Sequence, residues 1–141
     1  MKDVTDLIAR ILIAFIFLYE AYDSIAFFQA TKKKMISYGL TWNQDLLLMG
    51  AIFLLLMGGT LVLIGYRSGF GAILLMLYWV PVTFIVHSWW NDPPEQQRLE
   101  AIMFMKNIAI LGGLLMIFVN GSGRYSIRRL FATTKVPKKI L

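Results

Sequence analysis

Residues 46–65 read LLLMGAIFLLLMGGTLVLIG, a run of twenty residues without a charged side chain. This length matches the ~20 apolar residues with which an α-helix crosses the hydrocarbon core of a bilayer. Similar apolar blocks occupy residues 7–28, 69–90 and 101–119. Because lipid offers no partner for a bare backbone amide, each block must satisfy its own hydrogen bonds as a helix. The sequence therefore predicts an all-α integral membrane protein, folded as a bundle of four transmembrane helices.

The overall composition supports this class of protein. Of the 141 residues, 58% are hydrophobic and only 16% are charged, whereas soluble domains carry about 25% charged residues. The formal net charge is +6, but the basic residues lie at the ends of the apolar blocks and in a short tail over residues 124–141. We therefore predict no nucleic-acid partner, because these charges fit orientation in the membrane better. The tail can contact the anionic headgroups of membrane lipids.

The distribution of lysine and arginine predicts the orientation of the bundle. With four crossings, both termini and the turn between the second and third blocks share one side of the membrane. That side has eight basic residues: Lys2, Arg67, Arg124, Arg128, Arg129, Lys135, Lys138 and Lys139. The opposite side has the two predicted loops, roughly residues 29–45 and 91–100, and four basic residues: Lys32, Lys33, Lys34 and Arg98. The positive-inside rule therefore favours N and C termini in the cytoplasm.

Ionisable side chains inside the apolar blocks are the first candidates for a functional site, since each costs about 2.5–3.5 kcal/mol to insert. Glu20 and Asp23 are three residues apart and share one helix face. His87 lies near the end of the third block, and Lys106 lies inside the start of the fourth. These four residues are the predicted polar cluster or ligand contacts. Either they form a pocket in which His87 hydrogen-bonds a quinone carbonyl, or they only neutralise one another between helices.

Three further residues are predicted to make structural or headgroup contacts. Arg10 follows Asp6 by four residues, so the two can pair along one helix face, or Arg10 can extend to the lipid headgroups. Arg124 and Tyr125 follow the fourth block on the same side of the membrane. All three therefore belong to the end of the bundle that carries the termini.

The sequence predicts no resident metal and no autonomous catalytic site. It has no cysteine, so it cannot bind an iron–sulfur cluster or a thiolate-ligated zinc ion. A single histidine excludes bis-histidine haem ligation within one chain, and no methionine spacing supports a His/Met site. Phosphate-binding loops and nucleophile elbows are missing as well. A redox role would require a bound cofactor, for which a quinone is the candidate, or a partner protein.

Several stretches resemble the DoxX family of small four-helix bacterial membrane proteins. Residues 106–115 read KNIAILGGLL, and residues 121–126 read GSGRYS. Earlier in the chain, Arg10, the stretch GGTLVLIG ending at Gly65, and His87 follow the family pattern in the same order. The resemblance covers nearly the whole chain and implies a multi-pass protein of the bacterial cytoplasmic (inner) membrane.

The resemblance also implies a subunit of redox assemblies. Family members include the small subunit of a thiosulfate:quinone oxidoreductase and partners of thiol and superoxide-detoxifying proteins. The chain departs from the family where glycine and lysine are frequent late in the first helix, since it has Glu20, Ala21 and Asp23 there. It also has Arg128 where an acidic residue often follows the RYS motif. These departures affect the region that would form a site.

Three functions remain open from the sequence. The first is a membrane subunit that associates with an oxidoreductase and holds a quinone or lipid-like ligand near the outer leaflet, at the predicted polar cluster. The second is a non-catalytic scaffold that assembles partner proteins or forms a homo-oligomer. The third is a pathway for a small solute or protons, which would need a continuous polar route through the bundle.

Overall fold

The computed structural model describes residues 2–123 and 125–127. This part of the chain forms α1 (Lys2–Ala26), α2 (Phe28–Ser37), α3 (Gln44–Ile64), α4 (Ser68–Val86) and α5 (Pro94–Asn120), with a 3₁₀ turn at Trp89–Asn91. It contains no strand, so the prediction of an all-helical protein is confirmed. Arg124 and the tail over residues 128–141 lie outside the described residues.

Three of the helices, α3, α4 and α5, are long and apolar enough to cross a membrane. Helix α1 is equally long, but Arg10, Glu20 and Asp23 interrupt its apolar surface. It qualifies as a span only together with α2, which follows it at an angle of 99°. The described chain thus has three candidate spans, or four if the bent pair α1–α2 counts as one. The fourth span and the side of the termini stay predictions.

Helix α2 replaces a segment that the sequence analysis treated as a loop. The interpretation of residues 29–45 as a loop was wrong over residues 29–37, where the chain is helical. The change of direction occurs at Phe27, whose ψ of 39° departs from helical values. An ion pair between Lys32 Nζ and Asp45 Oδ1, 2.6 Å apart, ties α2 to the first turn of α3. A polar, lysine-rich segment need not be a loop, because lysine has good helix propensity.

The long helices pack in sequence, with α1 against α3, α3 against α4, and α4 against α5. Glycine allows the closest approach between α3 and α4: a Cβ atom added at Gly58 would lie 2.9 Å from the carbonyl oxygen of Gly71. In the core, the rings of Phe17 and Trp79 meet edge to face at a centroid distance of 5.0 Å.

The bundle has two ends. The end at which α1 begins, the turn joins α3 to α4, and α5 finishes is here called the terminal end. The opposite end, with α2 and the connection from α4 to α5, is called the loop end.

Arg10 is fully buried at the terminal end, with 0% of its surface exposed. Its Nε donates to Asp6 Oδ2 at 2.9 Å, so the four-residue spacing does produce an ion pair. Its Nη1 donates to the carbonyls of Val62 and Leu63, both at 3.3 Å, and its Nη2 donates to the carbonyl of Tyr125. One guanidinium therefore connects α1, the last turn of α3 and the segment after α5.

The acceptors of Arg10 are well suited to a cation. Carbonyls in the last turn of a helix lack intrahelical donors and carry partial negative charge. Gly65 ends α3 with φ 69°, and a Cβ atom there would lie 2.5 Å from Arg10 Nη1. Asp6 Oδ2 also accepts the backbone N–H of Gly123 at 3.1 Å. The arginine, the glycine after LVLI and the GSGRYS stretch thus meet in space.

Replacing Arg10 by leucine should destabilise the bundle by about 3 kcal/mol, because Asp6 and the helix-end carbonyls lose their shared donor. Thermal unfolding in detergent measures the effect. Arg67→Leu makes the same chemical change at an exposed position and is the matched control. An equal loss of stability in both variants would contradict the special role assigned to Arg10.

Candidate functional site

The candidate site lies at the loop end and begins with Glu20. The hydroxyl of Tyr78 donates a hydrogen bond to Glu20 Oε1 at 3.4 Å, which joins α1 to α4. Glu20 and Asp23 are both partly buried, one turn apart on α1. Asp23, Lys34 and His87 lie close enough to Glu20 to interact with it electrostatically. Glu20 is therefore the centre of a group of charged and polar side chains.

His87 is the first residue after α4, and it contacts the start of α5. Its Nδ1 lies 2.6 Å from Glu100 Oε2, and the two side chains are 22% and 27% exposed. A neutral imidazole donates to a carboxylate through Nδ1–H, which leaves Nε2 as an acceptor. Among the described residues Nε2 has no hydrogen-bond partner. His87 thus has one nitrogen fixed by the protein and one available to a ligand.

A buried polar ring adjoins Tyr78 in the core. The indole Nε1 of Trp79 donates to the backbone carbonyl of Asn107 at 3.0 Å. The amide Nδ2 of Asn107 donates to Thr83 Oγ1 at 3.2 Å, and Thr83 Oγ1 donates to the carbonyl of Trp79 at 2.7 Å. All three side chains are buried. Because the ring satisfies its own polar groups, it fixes α4 against α5 beside the candidate site.

Lys106 is separated from the other three predicted cluster residues. Its side chain is exposed, and within residues 2–123 and 125–127 it forms no ion pair. Successive helical residues point about 100° apart, so the burial of Asn107 against α4 turns Lys106 away from the core. Asp23 and His87 each interact electrostatically with Glu20, and so does Lys34 of α2, which the sequence analysis assigned to a loop.

Sequence reasoning missed Tyr78, Glu100, Thr83 and Asn107 as members of this region. Tyr78 was counted among the apolar residues of its block, although its hydroxyl is the group that hydrogen-bonds Glu20. Glu100 was placed in a connection, outside any span. The sequence could have indicated Asn107, because an amide side chain inside a membrane helix commonly hydrogen-bonds to a neighbouring helix.

The chemistry available at the site is hydrogen bonding and proton exchange. In the described residues no group of three His, Asp or Glu side chains could hold a metal ion. The available groups are a partly buried carboxylate, a tyrosine hydroxyl and an imidazole that is oriented by a second carboxylate. Imidazole and carboxylate side chains are the commonest proton donors and acceptors in protein sites. Such groups can bind a polar atom of a lipophilic molecule and supply protons to it.

The Asn107–Thr83 hydrogen bond should contribute about 0.6–1.7 kcal/mol to stability, the range measured for such bonds in membrane proteins. A double-mutant cycle with Thr83→Val and Asn107→Leu, followed by thermal unfolding in detergent, yields this coupling energy. Thr83→Ser keeps the hydroxyl and should keep the coupling. Strictly additive losses from the two single variants would show that the bond contributes nothing.

Comparison with known proteins agrees with the sequence pattern. Two inner membrane proteins of Escherichia coli K12 are similar over almost their whole length: YqjF, 30% identical over 92% of this chain and 94% of its own, and YphA, 27% identical over 91% of both chains. A Surfeit locus protein 4 homolog of Schizosaccharomyces pombe is 29% identical over 63% of this chain and 29% of its own. No solved structure matches.

The names of the two bacterial relatives, together with the apolar helices of this chain, confirm the predicted location in the inner membrane. The family model described as DoxX matches residues 5–88, which include Arg10, Gly65 and His87. The match thus spans the buried arginine, the glycine that contacts it and the histidine of the candidate site. On this evidence the chain belongs to the DoxX family.

Proposed function

We propose that this protein is a membrane subunit of an oxidoreductase assembly and that it binds a quinone at the loop end, against Glu20, Tyr78 and His87. The observation that supports the proposal most is the hydrogen bond from His87 Nδ1 to Glu100 Oε2, because it orients the imidazole and leaves Nε2 for a ligand. The hydroxyl of a reduced quinone (a quinol) donates to Nε2 of the neutral imidazole, whereas a quinone carbonyl accepts from Nε2–H of the imidazolium. The ring of either form suits an apolar, aromatic end of a bundle.

Each residue would have a separate role in such a site. When bound, a quinone supplies a two-electron, two-proton couple. The chain has no cysteine, so the electrons come from a partner subunit. Glu20 and His87 hold and move protons: Glu20 accepts a hydrogen bond from Tyr78, and His87 exchanges a proton at Nε2 while Glu100 holds the ring at Nδ1. Lys34 on α2 also interacts electrostatically with Glu20.

A second candidate is a non-catalytic scaffold that assembles partner proteins in the membrane. It is favoured by the fact that the polar groups of the site already pair with each other, Glu20 with Tyr78 and His87 with Glu100. In that case the pairs serve to fix α1, α4 and α5. Loss of either pair would weaken the fold, and no ligand would be involved.

Quinone content separates the two candidates. In protein purified in mild detergent from its native membrane, mass spectrometry should find a stoichiometric quinone. Glu20→Gln and His87→Gln should each lower its occupancy about tenfold, as expected for the loss of one good hydrogen bond. Glu95→Gln makes the same change as Glu20→Gln on the exposed first turn of α5 and should leave the content unchanged.

Quinone that is missing from the unaltered protein, or that remains at full occupancy in both variants, would reject the quinone site. A protein partner that co-purifies with the unaltered protein and with both variants, in the absence of quinone, would support the scaffold. Both variants keep side chains of similar size, so we expect them to stay folded, and a loss of quinone would then reflect the loss of binding. Their thermal unfolding, measured alongside, verifies this.

The proposal includes four spans with both termini in the cytoplasm, so that α1 crosses the membrane and α2 lies at the outer surface. The cysteine-free chain allows a direct test with single cysteines at exposed positions. Lys33→Cys and Glu95→Cys should react with a membrane-impermeant maleimide in intact cells or spheroplasts. Val4→Cys and Tyr66→Cys should react only after permeabilisation. Labelling of Val4→Cys and Lys33→Cys from the same side would show that α1 does not span.

A further inference from the structure

A shallow groove, open to the surroundings, runs along the exposed face of α5, away from the candidate site. Its lining comes entirely from this helix: Arg98, Ala101, Ile102, Met105, Lys106 and Ala109. The groove combines two cations at its loop end with apolar side chains along its length.

The two cations lack partners within the described part of the chain. Neither Arg98 nor Lys106 forms an ion pair there, and both are exposed. Lys106 lies within the apolar region of α5, where an uncompensated charge is costly. Helical side chains tilt towards the N-terminus of their helix, so the Lys106 ammonium extends towards Arg98 and the membrane surface. Both charges can therefore approach one anion at the level of the lipid headgroups.

The remainder of the groove suits an acyl chain. Met105 and Ala109 continue the same face of α5 into the apolar part of the helix. One turn further along, Gly112 has open space where a Cβ atom would lie. Small side chains at Ala109 and Gly112 leave a shallow channel beside the exposed Met116. A molecule with an anionic head and a hydrocarbon tail matches both parts of the groove.

We propose that this groove binds one anionic phospholipid, with its phosphate between Arg98 and Lys106 and an acyl chain along Met105 and Ala109. A second copy of the chain fits less well, because three of the loop-end carboxylates already have partners within the chain, and the exposed Glu95 lies eleven residues, about 16 Å along α5, from Lys106. Tyr78 donates to Glu20, while His87 and Lys32 pair with Glu100 and Asp45. Lipid phosphates are abundant at the depth that the Lys106 ammonium reaches. The proposal is independent of quinone binding, since it involves another face of the bundle.

Lipid binding to the full-length protein in detergent tests this assignment. Native mass spectrometry compares phosphatidylglycerol with phosphatidylcholine of the same acyl chains. The unaltered protein should bind one phosphatidylglycerol more tightly than phosphatidylcholine. Arg98→Gln and Lys106→Gln should each weaken phosphatidylglycerol binding about fivefold, as expected for the loss of one basic residue near a phosphate. Lys106→Arg should retain the affinity.

Two further variants test whether the position of the charge and the apolar channel both contribute to binding. Lys33→Gln removes an exposed lysine of α2 at the same end of the protein and should have no effect. Ala109→Leu keeps both cations but fills the apolar channel, so it should weaken binding of both lipids. Equal affinity for the two lipids, or an equal loss in Lys33→Gln and Lys106→Gln, would overturn the proposal. A dimer that dissociates in Lys106→Gln while phosphatidylglycerol binding stays unchanged would assign the groove to a second copy instead.

Discussion

The burial of Arg10 is the constraint on which the rest of the bundle depends. A guanidinium inside a membrane protein is tolerated only where enough acceptors surround it. Here the acceptors come from α1 itself, the last turn of α3 and the segment after α5. None of these segments can shift without leaving a buried charge short of a partner. The terminal end is therefore fixed, and α1 is held in the bundle although charged residues interrupt its apolar surface.

The loop end is held differently. Its ionisable groups are partly exposed and associate in pairs: Glu20 with Tyr78, His87 with Glu100, and Lys32 with Asp45. Each pair joins only two segments, so a ligand can replace or extend one contact without dismantling the bundle. The buried ring of Trp79, Thr83 and Asn107 gives this region a rigid base. Such a division, with a fixed end and an adaptable end, suits a binding site on a rigid scaffold.

The contacts around Arg10 explain why the family pattern combines an arginine, a glycine after LVLI and the GSGRYS stretch. Gly65 is required because it ends α3 at positive φ and because a side chain there would collide with Arg10. Gly123 lies so close to Asp6 that an added Cβ atom would be 2.6 Å from Oδ2. Residues that are far apart in the sequence thus serve one cluster. The stretch after α5 accordingly closes the terminal end of the bundle by accepting from Arg10 and donating to Asp6.

The sequence by itself determined the helical class, because lipid leaves an apolar chain of this length no other way to satisfy its amides. It also indicated the pairing of Asp6 with Arg10, since four residues make about one helical turn, and the structure decided between that pair and a contact of Arg10 with the headgroups. Only the tertiary structure decided which ionisable side chains meet, because helix rotation and the bend after α1 depend on packing between segments. For this reason Lys106 lies on an outer groove while Lys34 approaches Glu20, and the hydroxyl of Tyr78 joins the site. Neighbours along one helix can be read from spacing, whereas neighbours across helices depend on how the helices rotate and cross.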